Sequence, residues 1–415
     1  HGLASWSMLV GFCKGGGIVR WVWVREFEIF TVGNPPPYHG GHYWIFVKLT
    51  TNGGVSGIGE AYAVPFHPSA AEKMIADVCE RCVVGRNPFH LEKLWRVVYS
   101  RGYAQRSDMS VTAALSAVET ACWDIIGKEL GKPVYELLGG RVRDKLRAYT
   151  YLYPEDGDAA DVYTCADAAA ERAGEYAARG FTAVKFDPVG AYSAFDPRQL
   201  SLESLERAER FVNKIREAVG GRCDLLVGTH GQMTAAAAIR LARRLEPADP
   251  LWLEEPVPPE NVEAMAQVAR ATAIPIATGE RLATKYQFRD VLAKGAAAIL
   301  QPALGCCGGI LEGKKIAAMA EAHYAQIAPH LYCGPVEGAA NIQLATCSPN
   351  FLILEGIKTW DGFYAEILRE KIEWQDGYVI PPTAPGLGVT LDEEAARRHP
   401  YRGDEQHLGV HNEPL

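Results

Sequence analysis

Residues 251–280 read LWLEEPVPPENVEAMAQVARATAIPIATGE, and this stretch decides the fold. Two short apolar runs close on acidic residues, Glu254 in Leu251-Trp-Leu-Glu-Glu-Pro256 and Glu280 in Ile274-Pro-Ile-Ala-Thr-Gly-Glu280. The two glutamates lie 26 residues apart, the length of one strand–helix–strand repeat. In a parallel barrel that spacing sets both carboxylates on neighbouring strands, at the face where barrels carry their chemistry. Two convergent carboxylates suit a hard divalent cation such as magnesium. The alternative is two surface glutamates, but both terminate runs that look buried.

Outward from this repeat, the chain after Gly140 keeps the same rhythm. Candidate strands are Leu146–Tyr151, Ala183–Asp187, Leu225–Thr229, Leu251–Glu254, Ile274–Thr278, Ala298–Gln301, Gln326–Ala328 and Phe351–Glu355. The segments between them show helical periodicity, for example Thr234–Leu245 and Gly308–Ala325. Eight such strands predict an α/β barrel of the TIM type, or a modified one lacking a regular final helix. An open doubly wound sheet competes, but it normally carries a glycine-rich phosphate loop after its first strand, and none is present.

Upstream, Val24–Phe30 and Tyr43–Leu49 alternate as strands do, with a tight turn at Asn52-Gly-Gly54 before a third strand. Helical patterning follows at 69–83, 91–101 and 110–130, with Gly131-Lys-Pro133 as a stop. Strands followed by helices predict an α+β domain over 18–140, ahead of the barrel at 141–361. The tail at 362–415, rich in proline and glycine, is expected to fold back onto the first domain. Residues 1–17 read as an upstream or vector-derived extension: the apolar stretch is short and broken, with no basic leading segment.

The bulk properties fit this division. A chain of 415 residues exceeds a single core. The apolar share of 48%, charged share of 22% and net charge of -8 describe an ordinary globular protein with no sign of a nucleic-acid or membrane partner. Ten cysteines lie without framework spacing, which argues against zinc and for reduced thiols in a cytoplasm.

The strand ends carry the chemistry. They supply Lys185 and Asp187, which share a face by alternation, then His230, Glu254, Glu280, His330 and Glu355. A lysine, two histidines and several carboxylates in one barrel mouth are costly unless paired or bound to metal. Such a group suits proton abstraction next to a carboxylate, because a cation on the carboxylate oxygens stabilises the enediolate that forms.

At these residues the chain resembles the mandelate racemase/muconate lactonizing enzyme group of the enolase superfamily. The matching segments are the helix Ala114–Lys128, Lys132-Pro-Val-Tyr-Glu-Leu-Leu-Gly-Gly140, Leu253-Glu-Glu-Pro256, Ala277-Thr-Gly-Glu280 and Pro385-Gly-Leu-Gly388. The resemblance implies a (β/α)7β barrel under a capping domain, bound Mg2+ and, often, an octamer or other homo-oligomer. It implies that capping loops, here 34–41 and 61–68 with Arg101–Tyr103 nearby, choose the substrate, through groups such as Tyr38, His39, His42 and Trp44. Thr229-His-Gly-Gln232 is similar to the strand-three motif of sugar-acid dehydratases. On that likeness His230 is the general acid, His330 the base, Glu355 orients the substrate and Lys185 neutralises the enediolate.

Three positions depart from the family pattern. Gly228 stands where the first metal-ligand aspartate belongs, Asp187 replaces the second lysine of strand two, and Ala303 replaces the aspartate that supports the strand-seven histidine. Asp187 is expected to join Glu254 and Glu280 as the third ligand, since magnesium prefers oxygen; His230 through nitrogen is the alternative. The expected reaction is dehydration of an aldonic or aldaric acid to a 2-keto-3-deoxy acid. A racemase, epimerase or cycloisomerase, or a degenerate binding member of the family, remain as other readings.

Overall fold

The computed structural model describes residues 21–63, 66–155 and 157–415. The expected 1–17 extension, the first residues of the 18–140 unit and part of loop 61–68 lie outside them.

Strands β1 (Val24–Gly33), β2 (Tyr43–Thr51) and β3 (Ser56–Ala61) form an antiparallel sheet in sequence order. The Asn52-Gly-Gly54 turn joins the second to the third, with Gly54 in the left-handed region at φ 85°. The helix Met109–Leu130 lies across this sheet so closely that a Cβ at Gly59 would fall 1.9 Å from the Ala117 carbonyl. That helix is apolar and long enough to cross a membrane, yet 89% of its window is buried inside the fold. It is the spine of a core. It starts on an Asp108 cap that accepts from the Ser110 amide and stops at Gly131, φ 64°. The helical stretch predicted at 69–83 is split into an α-helix at Ser69–Val78 and a π turn at Cys79–Val83.

Eight parallel strands follow: β4 (Leu146–Tyr151), β5 (Ala183–Phe186), β6 (Asp224–Gly228), β7 (Trp252–Glu254), β8 (Ile276–Thr278), β9 (Ile299–Leu300), β10 (Gln326–Ile327) and β11 (Leu354–Gly356). Among the described residues seven helices of eight residues or more alternate with them, from Ala166–Ala178 to Pro335–Thr346. Pairing runs in order from β4 to β10, and β11 pairs with β4. Between β10 and β11 the ladder is reduced to the Ile327–Phe351 bridge with its flanking hydrogen bonds.

One side chain from each strand segment fills the interior: Tyr149, Ala183, Leu226, Trp252, Ala277, Ile299, Ala328 and Ile353 form a single buried cluster. Side chains alternate along a strand, so the residue two positions later points into the same interior one layer nearer the mouth. That arithmetic gives Tyr151, Lys185, Gly228, Glu254, Gly279, Gln301, His330 and Glu355. An apolar layer thus carries a polar one.

The tail does more than return to the first domain. A hairpin of β12 (Glu373–Gln375) and β13 (Tyr378–Ile380) first adds to β4, Tyr378 pairing with Arg147. Only then does Pro385-Gly-Leu-Gly388 reach the long helix, where the Leu387 amide donates to Asp124 at 2.8 Å. A side chain at Gly386 would strike that carboxylate. The helix Glu393–Arg398 then packs on β1.

Buried carboxylates of the α+β unit hold it to the barrel. Glu119 on the long helix accepts from the Ile310 and Leu311 amides at 2.7 and 3.0 Å, capping the barrel helix Ile310–Ala322. Glu60 at the end of β3 accepts from the Gly334 and Glu337 amides and caps Pro335–Thr346 in the same way. Burial raises the Glu119 carboxyl to about 7, although these donors and the Trp123 indole pull it down. Glu119→Ala would strand three buried donors, so it should cost about 3 kcal/mol or more in urea unfolding, with Glu119→Gln milder. Equal unfolding midpoints for wild type and Glu119→Ala would show that this cap does not hold the two units together.

Candidate active site

The polar layer is a connected set of charges. Lys185 Nζ donates to Glu254 Oε1 at 2.7 Å and to Glu355 Oε1 at 3.4 Å, and all three side chains are buried. The other Glu254 oxygen accepts from Gln301 Nε2 at 2.8 Å and from the Trp252 indole at 3.1 Å. Glu355 Oε2 accepts from the Leu331 amide at 2.9 Å. Burial alone would lower the Lys185 pKa, but Glu254 and Glu355 outweigh it and raise it well above the usual value. Lys185 is a fixed cation here.

Glu280 sits between two imidazoles. His330 Nε2 is 3.1 Å from its Oε2, and His230 Nε2 is 3.7 Å from its Oε1. His230 Nδ1 lies 2.8 Å from Asp187 Oδ2. Burial opposes charge on His230, yet Asp187 and Glu280 lift it to about 10; Glu280 likewise lifts His330 to about 9 against its burial. The glutamate itself moves well below the usual carboxylate range, the two histidines overcoming burial. Glu255, next to Glu254 in sequence, takes no part: it pairs with Arg281 at 2.5 Å.

The backbone aims His230. Its φ is 44° and that of Gly231 is 75°, so the chain turns sharply off β6. The turn is held by the Gly231 amide on the Glu255 carbonyl at 2.7 Å. Tyr192 packs edge-on against the imidazole at 4.8 Å.

All seven residues expected at the strand ends thus meet in one place. Six of them line a cavity of about 390 Å³, and Glu254 lies just beneath it. Tyr62 comes from the expected loop 61–68, while the remaining wall, from Tyr151, Tyr153, Tyr163, Tyr192, Tyr332 and Leu408 among others, escaped the sequence analysis. Two of these were open to discovery: Tyr149-Thr-Tyr-Leu-Tyr153 ends β4 as Lys185 ends β5, and the same reading would have found Tyr151 and Tyr153. The expected capping loops contribute less. Among the described residues of the α+β unit only Tyr62 lines the cavity. Trp44 is core, stacked on Phe363, and Tyr103 is exposed to solvent.

The donor set fits a divalent cation. One ligand atom each from His230, Glu254 and Glu280 lies within 4.8 Å of the others, near the span that an ion with bonds of about 2.1 Å bridges. Asp187, expected as third ligand, stands differently: one oxygen holds His230, and the other, Oδ1, is buried without a partner. That free oxygen lies 2.1 Å from where a Cβ on Gly228 would sit. The carboxylate from β5 therefore fills the room that a side chain on β6 would need. Gly228→Ala should expel Asp187 and weaken binding of Mg2+ or Mn2+ by about tenfold or more in calorimetric titration, on the scale of one lost supporting contact. Unchanged affinity would mean that Asp187 plays no part in holding a cation.

Residues 39–139 match the model for the mandelate racemase / muconate lactonizing enzyme N-terminal domain, and residues 168–395 match the enolase C-terminal domain-like model. A solved structure from Labrenzia alexandrii DFL-11, given provisionally as a mandelate racemase/muconate lactonizing enzyme, is 59% identical; the match covers 94% of this chain and 100% of that one, with a TM-score of 0.92. A D-galactonate dehydratase of Xanthomonas euvesicatoria pv. vesicatoria is 36% identical over 371 residues, 87% of this chain and 92% of that protein. A D-xylonate dehydratase of Haloferax volcanii is 34% identical over 385 residues, 92% and 91% of the two chains. With its α+β cap, its parallel barrel strands and its ring of acids, bases and one lysine, this chain belongs to the mandelate racemase/muconate lactonizing enzyme family of the enolase superfamily.

Proposed function

We propose that the protein dehydrates an aldonic acid to its 2-keto-3-deoxy product with the help of a divalent cation, Mg2+ first among them. The observation that carries this reading is the pair of imidazoles on one carboxylate, His330 and His230 on Glu280, reached from strands four apart in a ring of eight. Dehydration needs such a pair: one group takes the α-proton and another delivers a proton to the departing 3-hydroxyl. The names of the curated relatives, D-galactonate and D-xylonate dehydratase, support the same reaction class.

Glu254 and Glu280 would hold the ion, with the unpartnered Asp187 Oδ1 as third oxygen. Bound there, it supplies charge that stabilises the enediolate of the substrate carboxylate. Lys185 adds a second, fixed positive charge to the same oxygens. His330 would be the base for the α-proton; were Glu280 to hold the cation, the pairing that keeps this imidazole protonated would be lost. His230, oriented through Nδ1 by Asp187, keeps its other nitrogen for the leaving hydroxyl. Water departs, and the enol becomes the 2-keto acid.

The lining also favours one carboxylate per substrate. Its cationic groups, Lys185, His230 and His330, lie together with the carboxylates at the strand ends, and the rest of the wall is uncharged, mostly tyrosine with Leu408. A second carboxylate at the far end of an aldaric acid would find no further cation among the described residues that line the cavity.

Incubation with aldonic and aldaric acids and Mg2+ should yield a 2-keto acid from aldonic acids only. His230→Asn should lower dehydration by about a hundredfold or more yet leave exchange of the α-hydrogen with solvent deuterium. Loss of both would remove His230 from the acid role. Exchange without any keto product in the wild type would favour racemisation. The ligand assignment has its own check. Glu254→Gln should weaken cation binding sharply, and Asp187→Ala should do so until Gly228→Asp restores it. A double variant no better than Asp187→Ala would give the third place to His230, the other nearby donor.

A further inference from the structure

Residues 401–413 run from the α+β unit across the mouth of the cavity. The Tyr401 amide donates to the Thr31 carbonyl on β1, and its ring packs on Tyr43 at 4.9 Å. Six residues on, His407 is 3% exposed and enclosed by the rings of Tyr43, Tyr62 and Tyr332 at 5.2, 5.5 and 5.9 Å. Neither of its ring nitrogens has a partner, so it serves as a flat aromatic wedge. It also presses on Gly41, where a Cβ would fall 2.2 Å from its Cε1 and where φ is 94°. Only glycine admits it.

Beyond the wedge, the chain reaches the opposite rim. The His411 amide donates to the Tyr192 carbonyl at 3.0 Å, the Ala194 amide to the His411 carbonyl at 2.9 Å, and Ser193 Oγ to the Glu413 carbonyl at 2.7 Å. Tyr192 is the residue whose ring lies on His230. Between the two anchorages Leu408 faces the cavity and joins its lining. One short segment therefore ties a capping loop, the loop after β10 and the loop after β5 together over the reacting groups.

We propose that residues 407–413 are a fixed strap forming the outer wall of the substrate cavity, and that Leu408 sets the length of acid the cavity accepts. This rests on the dehydratase reading for the nature of the substrate, though the strap itself does not. The strand ends and the turns that follow them bring the acid, base and cation ligands together at the base of the cavity, so the carboxylate end of a substrate enters first. The far end of its carbon chain then meets what crosses the mouth. An apolar residue there suits a terminal carbon and offers nothing to a second charge.

Two measurements on the full chain test the strap. Amide exchange without substrate should show Ala194 protected in the wild type and in His407→Phe, which keeps the wedge, and fast in His407→Ala. Identical exchange in all three would overturn the anchoring. The ratio of kcat/KM for six-carbon over five-carbon aldonic acids should rise in Leu408→Ala and fall in Leu408→Phe. Each change should be about tenfold, the scale of one carbon's contacts with a pocket wall. Both variants active with the wild-type ratio would overturn the role of Leu408. If the wild type dehydrates no aldonic acid the dehydratase reading fails instead, and Ala194 exchange still decides whether the strap is held.

Discussion

Everything in this molecule depends on a polar layer resting directly on an apolar one inside a ring of parallel strands. Tyr149, Leu226, Trp252 and their partners exclude water from below. Two residues further along the same strands stand Lys185, Glu254, His330 and Glu355, all buried. Charges placed there are tolerable only when each is met by another, and here they are: the lysine bridges two glutamates, and a third glutamate bridges two histidines. The two histidines are thereby tied to one carboxylate, Glu280, and a change at that group reaches both.

The α+β unit contributes to this layer mostly from behind. Glu119 and Glu60 cap two barrel helices across the boundary, and Asp124 receives the returning tail. These are buried carboxylates spent on backbone amides, a rigid connection with little freedom to slide. Direct contact with the cavity falls to Tyr62 and to the segment around Leu408, which lies close to the far end of the sequence. Among the described residues, the cavity wall is therefore shared between Tyr62 of the cap, Leu408 of the tail and tyrosines of the barrel loops.

The sequence made much of this legible for a simple reason. Strand ends in a parallel barrel are marked by apolar runs that break on a polar residue, so Glu254, Glu280, His330 and Glu355 could be read one after another. The empty place at Gly228 was legible too, and so was Asp187 as its neighbour, because β5 and β6 pair in register from Ala183 with Asp224. What could not be read was contact made by irregular chain. His407 follows a loop with no periodicity, and its burial depends on Gly41 lying opposite, a pairing across more than three hundred residues that no local pattern encodes. The close bond of Asp187 to His230 also needed coordinates, since it follows from the left-handed turn at His230 rather than from strand alternation. Trp44 suited a capping-domain contact almost as well as a substrate contact, and only the packing decides: on β2 it lies in the core, while Tyr103 faces solvent.

The most direct test of the whole account is anomalous diffraction from crystals of the protein grown with Mn2+ in place of Mg2+. The account predicts one strong peak between Glu254 and Glu280, bonded to an oxygen of each and to Asp187 or His230 at about 2.2 Å, with Lys185 still within reach of Glu355. A map with no peak there at saturating Mn2+, and with Glu280 still paired to His330, would contradict it.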